Sequence, residues 1–470
     1  MTAAAARHAE PACETPSPAR FFATLGTDPL ACAFPRKSGA HPGTPTQPLP
    51  ADQRDAEWRR LLATPRNRRT VAYVHLPFCE NHCLFCGFYQ NPWRPEAGGP
   101  YVDALIAQLA AFARHPACEG PPLQAVYLGG GTPTALSGPD LARLVRAIRQ
   151  HLPLASDCEI TLEGRIHSFG LEKARAAFDA GVTRISLGVQ SFDATIRRPL
   201  GRKASRAEIL AALAALVALD QGAVIVDLIY GLPGQCPEDV AADVRLCAEL
   251  GLDGLDLYAL NLIPGTPLLT ALEKGKKRVA GPEALGHFFA AGEAAAEEMG
   301  WAPISTSHWQ GSLRERSVYN LAVKTGADCL AFGAGAGGAL GGLSFRLGTD
   351  LRQYNAQAGS CGAALLAGMM RQARSARVAD AIKAGMERGR LDLARVEAAF
   401  AALIARPALP LAEHLAPLLA QWREAGLWQP QHRFHHLTRA GRFWQVPMTT
   451  RLLGWMAEHP DLTPEPEPAK

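Results

Sequence analysis

Three cysteines constrain this chain more than anything else in it. Cys79, Cys83 and Cys86 stand in His75-Leu-Pro-Phe-Cys-Glu-Asn-His-Cys-Leu-Phe-Cys-Gly-Phe88, at the spacing C-x3-C-x2-C. Thiolates so spaced can wrap one [4Fe–4S] cube from a single short loop. Such a cube normally takes four thiolate ligands, so three leave one iron open to a small molecule. An open iron does chemistry as well as carry electrons. Two other chemistries use clustered cysteines. A zinc site would recruit His75 or His82 as a fourth ligand. A redox dithiol would use Cys83-Leu-Phe-Cys86 near a βαβ pattern, and would leave Cys79 without a role.

The segments around this loop alternate short β-rich runs with helical ones. Strands are expected at Thr70–Val74, Gln124–Leu128, Glu159–Leu162, Arg184–Val189, Val224–Ile229 and Leu255–Leu260. Helices are expected at Tyr101–Ala113, Leu141–His151, Leu171–Ala180, Arg206–Leu219 and Val240–Leu250. Alternation of this kind predicts an α/β fold with a parallel sheet. Six units with right-handed crossovers curve into a partial or full (β/α) barrel. Polar residues recur at the C-terminal ends of the strands, where such folds build their sites.

The expected organisation has three parts. Residues 1–65 are rich in Ala and Pro and read as an irregular lead-in, partly ordered around Phe21-Phe22. Residues 66–350 form the barrel. Residues 351–470 form a smaller, mainly helical or winged-helix-like lid, with helices at Leu351–Met370, Ala376–Gly389 and Leu411–Ala425, the last interrupted or kinked at Pro417. Leu411–Ala425 is not the basic recognition helix that DNA binding requires.

Bulk properties exclude several classes. The chain has 470 residues, a hydrophobic content of 48% and a net charge of +4. That charge is too small and too evenly spread to argue for nucleic acid. No uninterrupted run of about 18 apolar residues exists to span a membrane. The first residues lack the apolar core of a secretion signal. Of 11 cysteines, the eight outside the loop are scattered without paired spacing, which points to a reducing, cytoplasmic setting.

The cysteine spacing resembles the signature of radical S-adenosylmethionine (SAM) enzymes. In that superfamily the open iron chelates the amino and carboxylate groups of SAM, and the reduced cluster splits it to a 5′-deoxyadenosyl radical. Downstream motifs sharpen the resemblance to the oxygen-independent coproporphyrinogen III oxidase family, over about residues 70–345. Tyr73, six residues before Cys79, and Phe85, just before Cys86, match family positions, the latter an aromatic packed on adenine. Gly129-Gly130-Gly131-Thr132-Pro133-Thr134 matches the glycine turn for the SAM amino acid, where bare glycines allow close backbone approach. A Walker loop is discounted because no Gly-Lys-Ser/Thr follows. Glu163, Gln190, Arg202 and Asp227 match SAM-contacting positions in order and spacing. Gly333-Ala-Gly335-Ala-Gly-Gly338 formally fits a dinucleotide fingerprint. It lacks the following helix and acid, so a tight turn is expected there.

Within the family, one branch decarboxylates coproporphyrinogen and typically carries a fourth cysteine two residues after the third. Here that position is Phe88. A second branch consists of haem chaperones. The segments Cys86-Gly-Phe-Tyr-Gln-Asn91 and Ser305–Asn320 most resemble a third, haem-utilisation branch (HutW-like, related to anaerobilin synthase). That resemblance implies anaerobic haem breakdown by a radical SAM methyltransferase. A radical formed from a second SAM's methyl group would add to the porphyrin, opening the ring and releasing iron. It also implies a haem or related porphyrin partner and a low-potential electron donor such as flavodoxin or a reductase. Haem has two propionates and an iron. His308, Arg314 and Arg316 are therefore candidate substrate residues, the histidine as an iron ligand and the arginines as carboxylate forks. His432, His435 and His436 form a second possible metal cluster, or simply exposed turn residues.

Overall fold

A computed structural model describes residues 18–462, except 38 and 40. Positions 1–17 of the expected lead-in therefore lie outside the described residues. Six parallel strands form the heart of the fold: Thr70–Leu76, Leu123–Gly130, Leu154–Gly164, Arg184–Gln190, Ala223–Tyr230 and Gly254–Ala259, paired in that order. They are buried along most of their length, as parallel strands with covered faces are. Each of the first five connections carries a helix with one apolar face. In Gly138–His151, Leu141, Leu144, Val145 and Ile148 recur at helical spacing and are buried. Its N-cap Ser137 accepts from the Asp140 amide.

A seventh parallel strand, Asp328–Phe332, pairs with Thr70–Leu76 on the other flank. Antiparallel strands then extend both edges. His308–Gln310 and Ala302–Pro303 follow Gly254–Ala259. Gly337–Leu340, Leu343–Leu347, Leu366–Gln372 and Thr46–Pro48 follow the seventh strand. The result is the expected α/β partial barrel. The turn after Phe332 is tight, as expected: Gly333 has φ 103°, and a Cβ there would lie 2.4 Å from the His75 carbonyl oxygen.

Two expectations need correction. The helix expected over Leu351–Met370 ends at Gln357, and Leu366–Gln372 is a strand of the main sheet. Gly359 and Gly362 break the helix, and pairing on both sides of the strand overrides local propensity. The lead-in is also more regular than its composition implies. Arg54–Leu62 is a helix, and Thr46–Pro48 is the sheet's edge strand, the place where a strand tolerates proline. Phe21 and Phe22 both pack on Trp455, at ring distances of 5.4 and 5.8 Å.

The C-terminal part is mainly helical. Helices Ala376–Glu387, Leu393–Ala401, Leu411–Glu424 and Gln445–Ala457 surround a small sheet of Arg390–Asp392, Phe434–Leu437 and Trp428–Gln431. A hairpin of Trp428–Gln431 and Phe434–Leu437 lies beside the helices. Leu411–Glu424 runs through Pro417 without ending. One apolar core joins the lead-in, barrel and C-terminal helices.

Candidate functional site

The cysteine loop leaves the C-terminal end of the first barrel strand. Phe78–Cys79 pairs with Asn91–Pro92 and closes the loop at its base. Cys79 and Cys83 are buried and Cys86 is half-buried. Each sulfur accepts a hydrogen bond. Thr132 Oγ1 donates to Cys79 Sγ (3.4 Å), as does Arg165 Nη2 (3.6 Å). Arg202 Nη1 donates to Cys83 Sγ (3.5 Å), and the Phe88 amide to Cys86 Sγ (3.4 Å). Burial raises the free Cys79 and Cys86 thiols. Donors aimed at all three sulfurs favour the anionic form that a cluster needs.

Neither histidine of the zinc alternative joins the cysteines in a ligand group among the described residues, although His75 Nε2 is buried without a hydrogen-bond partner. His75 Nδ1 is 2.9 Å from the Tyr73 hydroxyl. His82 Nε2 is 2.9 Å from the Cys86 carbonyl, and its ring stacks on Tyr89. Among the described residues no three His, Cys, Asp or Glu side chains converge as ligands of a single metal ion. His432, His435 and His436 form no such group; the His435 ring lies 4.5 Å from that of Trp428 and the His436 ring 6.1 Å from that of Phe434.

Beside the loop, the glycine turn ends the second strand. Gly130 has φ 116°, and a Cβ there would lie 2.4 Å from the His75 ring. A Cβ on Gly131 would meet the Phe78 carbonyl oxygen at 2.3 Å. Glycine is thus required where the turn touches the cysteine loop. The Gly130 amide donates to Glu163 Oε2 (3.2 Å). Burial, then the nearby Asp227 carboxylate, pushes Glu163 up to about 8. Asp227, facing Ser186 Oγ at 3.4 Å, is pushed to about 7 by burial and by Asp256.

Gln190 ends the fourth strand at a register shift after Gly188, with φ 66°. Its buried Oε1 has no partner among the described residues. A strained, orphaned polar side chain beside two high-pKa carboxylates marks a functional site. Arg202 also donates to the Gly188 carbonyl. Phe85 packs against Ile196, Leu200 and Leu232. Tyr73 stacks on Tyr127 and Tyr319 within the barrel. The geometry therefore brings Phe85, Gly130, Gly131, Thr132, Glu163, Gln190, Arg202 and Asp227 around one mouth, with Tyr73 just below. The chemistry fits SAM. Its positive ammonium and sulfonium groups suit acids that are hard to ionise alone, and the glycine cradle suits its amino acid portion.

The substrate expectation fails. His308 lies opposite Asp256 in the sheet and is buried. Its Nδ1 is 2.8 Å from Asp256 and its Nε2 is 3.0 Å from Glu315, which also takes Arg184 Nε at 2.8 Å. Both ring nitrogens are engaged, so neither is open to iron. Arg314 pairs with Asp220 and Arg316 with Asp157, near the N-terminal ends of the strands and away from the cysteine loop. The sequence reading missed Arg165. Its position two residues after Glu163, at the mouth of the same strand, was the available signal.

Residues 73–247 match the radical SAM superfamily model. The chain is 40% identical over 400 residues to anaerobilin synthase of Escherichia coli O157:H7, covering 84% of this chain and 87% of that protein. It is 32% identical over 275 residues to the haem chaperone HemW of Mycobacterium tuberculosis, covering 57% and 69%. Its fold matches coproporphyrinogen III oxidase (HemN) from Escherichia coli with a TM-score of 0.71 at 23% identity, over 88% of this chain and 96% of that one. The chain belongs to the radical SAM superfamily, in the oxygen-independent coproporphyrinogen III oxidase family and its haem-utilisation branch. It is an enzyme that uses a [4Fe–4S] cluster and SAM.

Proposed function

We propose that this protein degrades haem anaerobically, opening the porphyrin ring by radical methyl transfer and releasing iron and a linear tetrapyrrole. The observation that carries this reading is the 40% identity to anaerobilin synthase along 84% of the chain. It reaches well beyond the 57% that the HemW match covers. Phe88, where the decarboxylating branch typically has a cysteine, speaks for the same branch.

In this reading Cys79, Cys83 and Cys86 hold the cluster, and Arg165, Thr132 and Arg202 stabilise their charge by hydrogen bonding. Glu163, Gln190, Arg202, Asp227 and the glycine turn hold SAM, with Phe85 and Tyr73 alongside. When bound, the cluster and SAM supply a carbon radical that abstracts hydrogen. The chain's own task is to orient SAM and keep water and oxygen out. The mouth also offers an apolar rim for a flat macrocycle. Phe88 is 71% exposed, Leu262 40% and Tyr258 37%. Gly87 sits against Ile263, so the two loops that carry this rim touch. Exposed aromatic and aliphatic surface of this kind is a common mark of a binding site.

Among the described residues no helix is long and apolar enough to cross a membrane, and every cysteine is free. A cytoplasmic setting and a low-potential donor such as flavodoxin are part of the same proposal. Haem incubated anaerobically with the cluster-loaded protein, SAM and a reductant tests the function. Loss of the Soret band is expected. A stable Soret band would instead favour a haem chaperone, a reading that the HemW likeness keeps in play.

A further inference from the structure

Reductive cleavage of SAM needs one electron, and that electron enters at the cluster. Two arginines that donate to cysteine sulfurs, Arg165 and Arg202, also line a small, shallow surface cleft. Glu80, Asn81, His167 and Lys203 line it with them. One wall is the cysteine loop. The other is the turn after the fourth strand, joined to the loop by Leu84 N–H to Leu200 O (3.2 Å) and Asn81 Nδ2 to Gly201 O (2.8 Å). The surface therefore comes within one side chain of two of the three sulfurs here.

The charge of this face is one-sided. Arg198, Lys203 and Arg206 are exposed; Arg206 lies within electrostatic reach of Asp193 and the buried Asp243, whereas Arg198 and Lys203 pair with no acid among the described residues. The nearby acids Asp193 and Glu208 are engaged locally, with Thr195 and with the Ser205 amide. That leaves Glu80 on the rim. With a net charge of only +4 over the whole chain, unpaired cations beside the cysteines are a local feature. Screening limits their reach to roughly 8 Å at physiological salt, so they act on what docks at the cleft itself.

We propose that the face formed by Arg198, Lys203 and Arg206 around this cleft docks a small acidic electron-transfer protein that reduces the cluster. One electron leaves the donor's flavin or iron–sulfur centre and enters the cluster. No bond is made or broken and no proton moves. Charge complementarity of this kind steers encounter and fixes orientation more than it adds raw affinity. The proposal rests on the family assignment and not on the haem reading.

The test uses the cluster-loaded protein with SAM and reduced flavodoxin, measuring 5′-deoxyadenosine in the absence of haem. Flavodoxin binding is measured directly by titration. The triple variant R198E/K203E/R206E removes the patch. Arg206 opens the helix Arg206–Leu219, where a glutamate complements the helix dipole, so the fold is kept. Flavodoxin affinity and flavodoxin-driven turnover should fall about tenfold or more at low salt, and the gap should narrow as salt rises. Turnover driven by dithionite should be unchanged. A control, R374E/R377E, reverses two exposed arginines near the opposite end of the barrel and should match the parent. The proposal is overturned if the triple variant keeps its flavodoxin affinity. It is also overturned if dithionite-driven turnover falls equally, or if haem affinity falls in place of flavodoxin affinity.

Discussion

Replacing His308 separates a structural role from a substrate role. Its ring bridges Asp256 and Glu315 at 2.8 and 3.0 Å, and all three side chains are at most 4% exposed. Burial by itself pulls the imidazolium down, but Asp256 and Glu315 overcome it and hold its pKa at about 9, against an ordinary 6.5. A group whose folded pKa is raised contributes stability that is complete below its unfolded pKa and is lost as pH rises through the folded one. The rise is worth about 3 kcal/mol. That is comparable to the ~3–5 kcal/mol typical of breaking a buried ion pair. Urea unfolding of the parent and His308→Gln proteins measures it. The parent's advantage should be about 3 kcal/mol at pH 6.5 and should vanish between pH 7 and 9.5. Haem affinity should not change. Equal stability at pH 6.5 together with lost haem binding would refute the assignment and restore His308 as an iron ligand.

Other outcomes follow from the same geometry. Alanine at Cys79, Cys83 or Cys86 should abolish cluster iron, sulfide and the broad visible absorbance, whereas Cys247→Ala should retain all three. Asp227→Asn should weaken SAM binding by about 1–3 kcal/mol, roughly 5- to 150-fold, as read by equilibrium binding. Because Glu163 and Asp227 ionise near 8 and 7, SAM affinity of the parent should climb from pH 6 to pH 8.5. In the variant Glu163 no longer faces the Asp227 carboxylate, so the remaining climb should be a single step displaced to lower pH. Gly131→Ala sets a methyl against the Phe78 carbonyl oxygen at 2.3 Å. Neither backbone can yield, so the variant should load less iron on reconstitution than the parent.

The barrel was legible because its strands and helices obey simple periods. All six expected strands and five helices appear, most with ends extended by a few residues. The seventh parallel strand, Asp328–Phe332, was not read from the sequence. It is short and is followed by a glycine turn and antiparallel strands rather than another βα unit. Leu366–Gln372 was misread because its pairing partners, Leu343–Leu347 and Thr46–Pro48, lie elsewhere in the chain. At the site, residues at strand ends converged as their order implied. His308, Arg314 and Arg316 did not, because adjacency in sequence says nothing of which end of the barrel a segment occupies. Arg184 and Glu315, 131 residues apart, claim the space around His308.

Isotope transfer from methyl-deuterated SAM tests the central claim most directly. With haem, reductant and no oxygen, 5′-deoxyadenosine should acquire deuterium, and the deuterated carbon should appear in an open tetrapyrrole as haem disappears. If 5′-deoxyadenosine stays unlabelled, haem remains intact and coproporphyrinogen is decarboxylated instead, the proposed reaction is wrong.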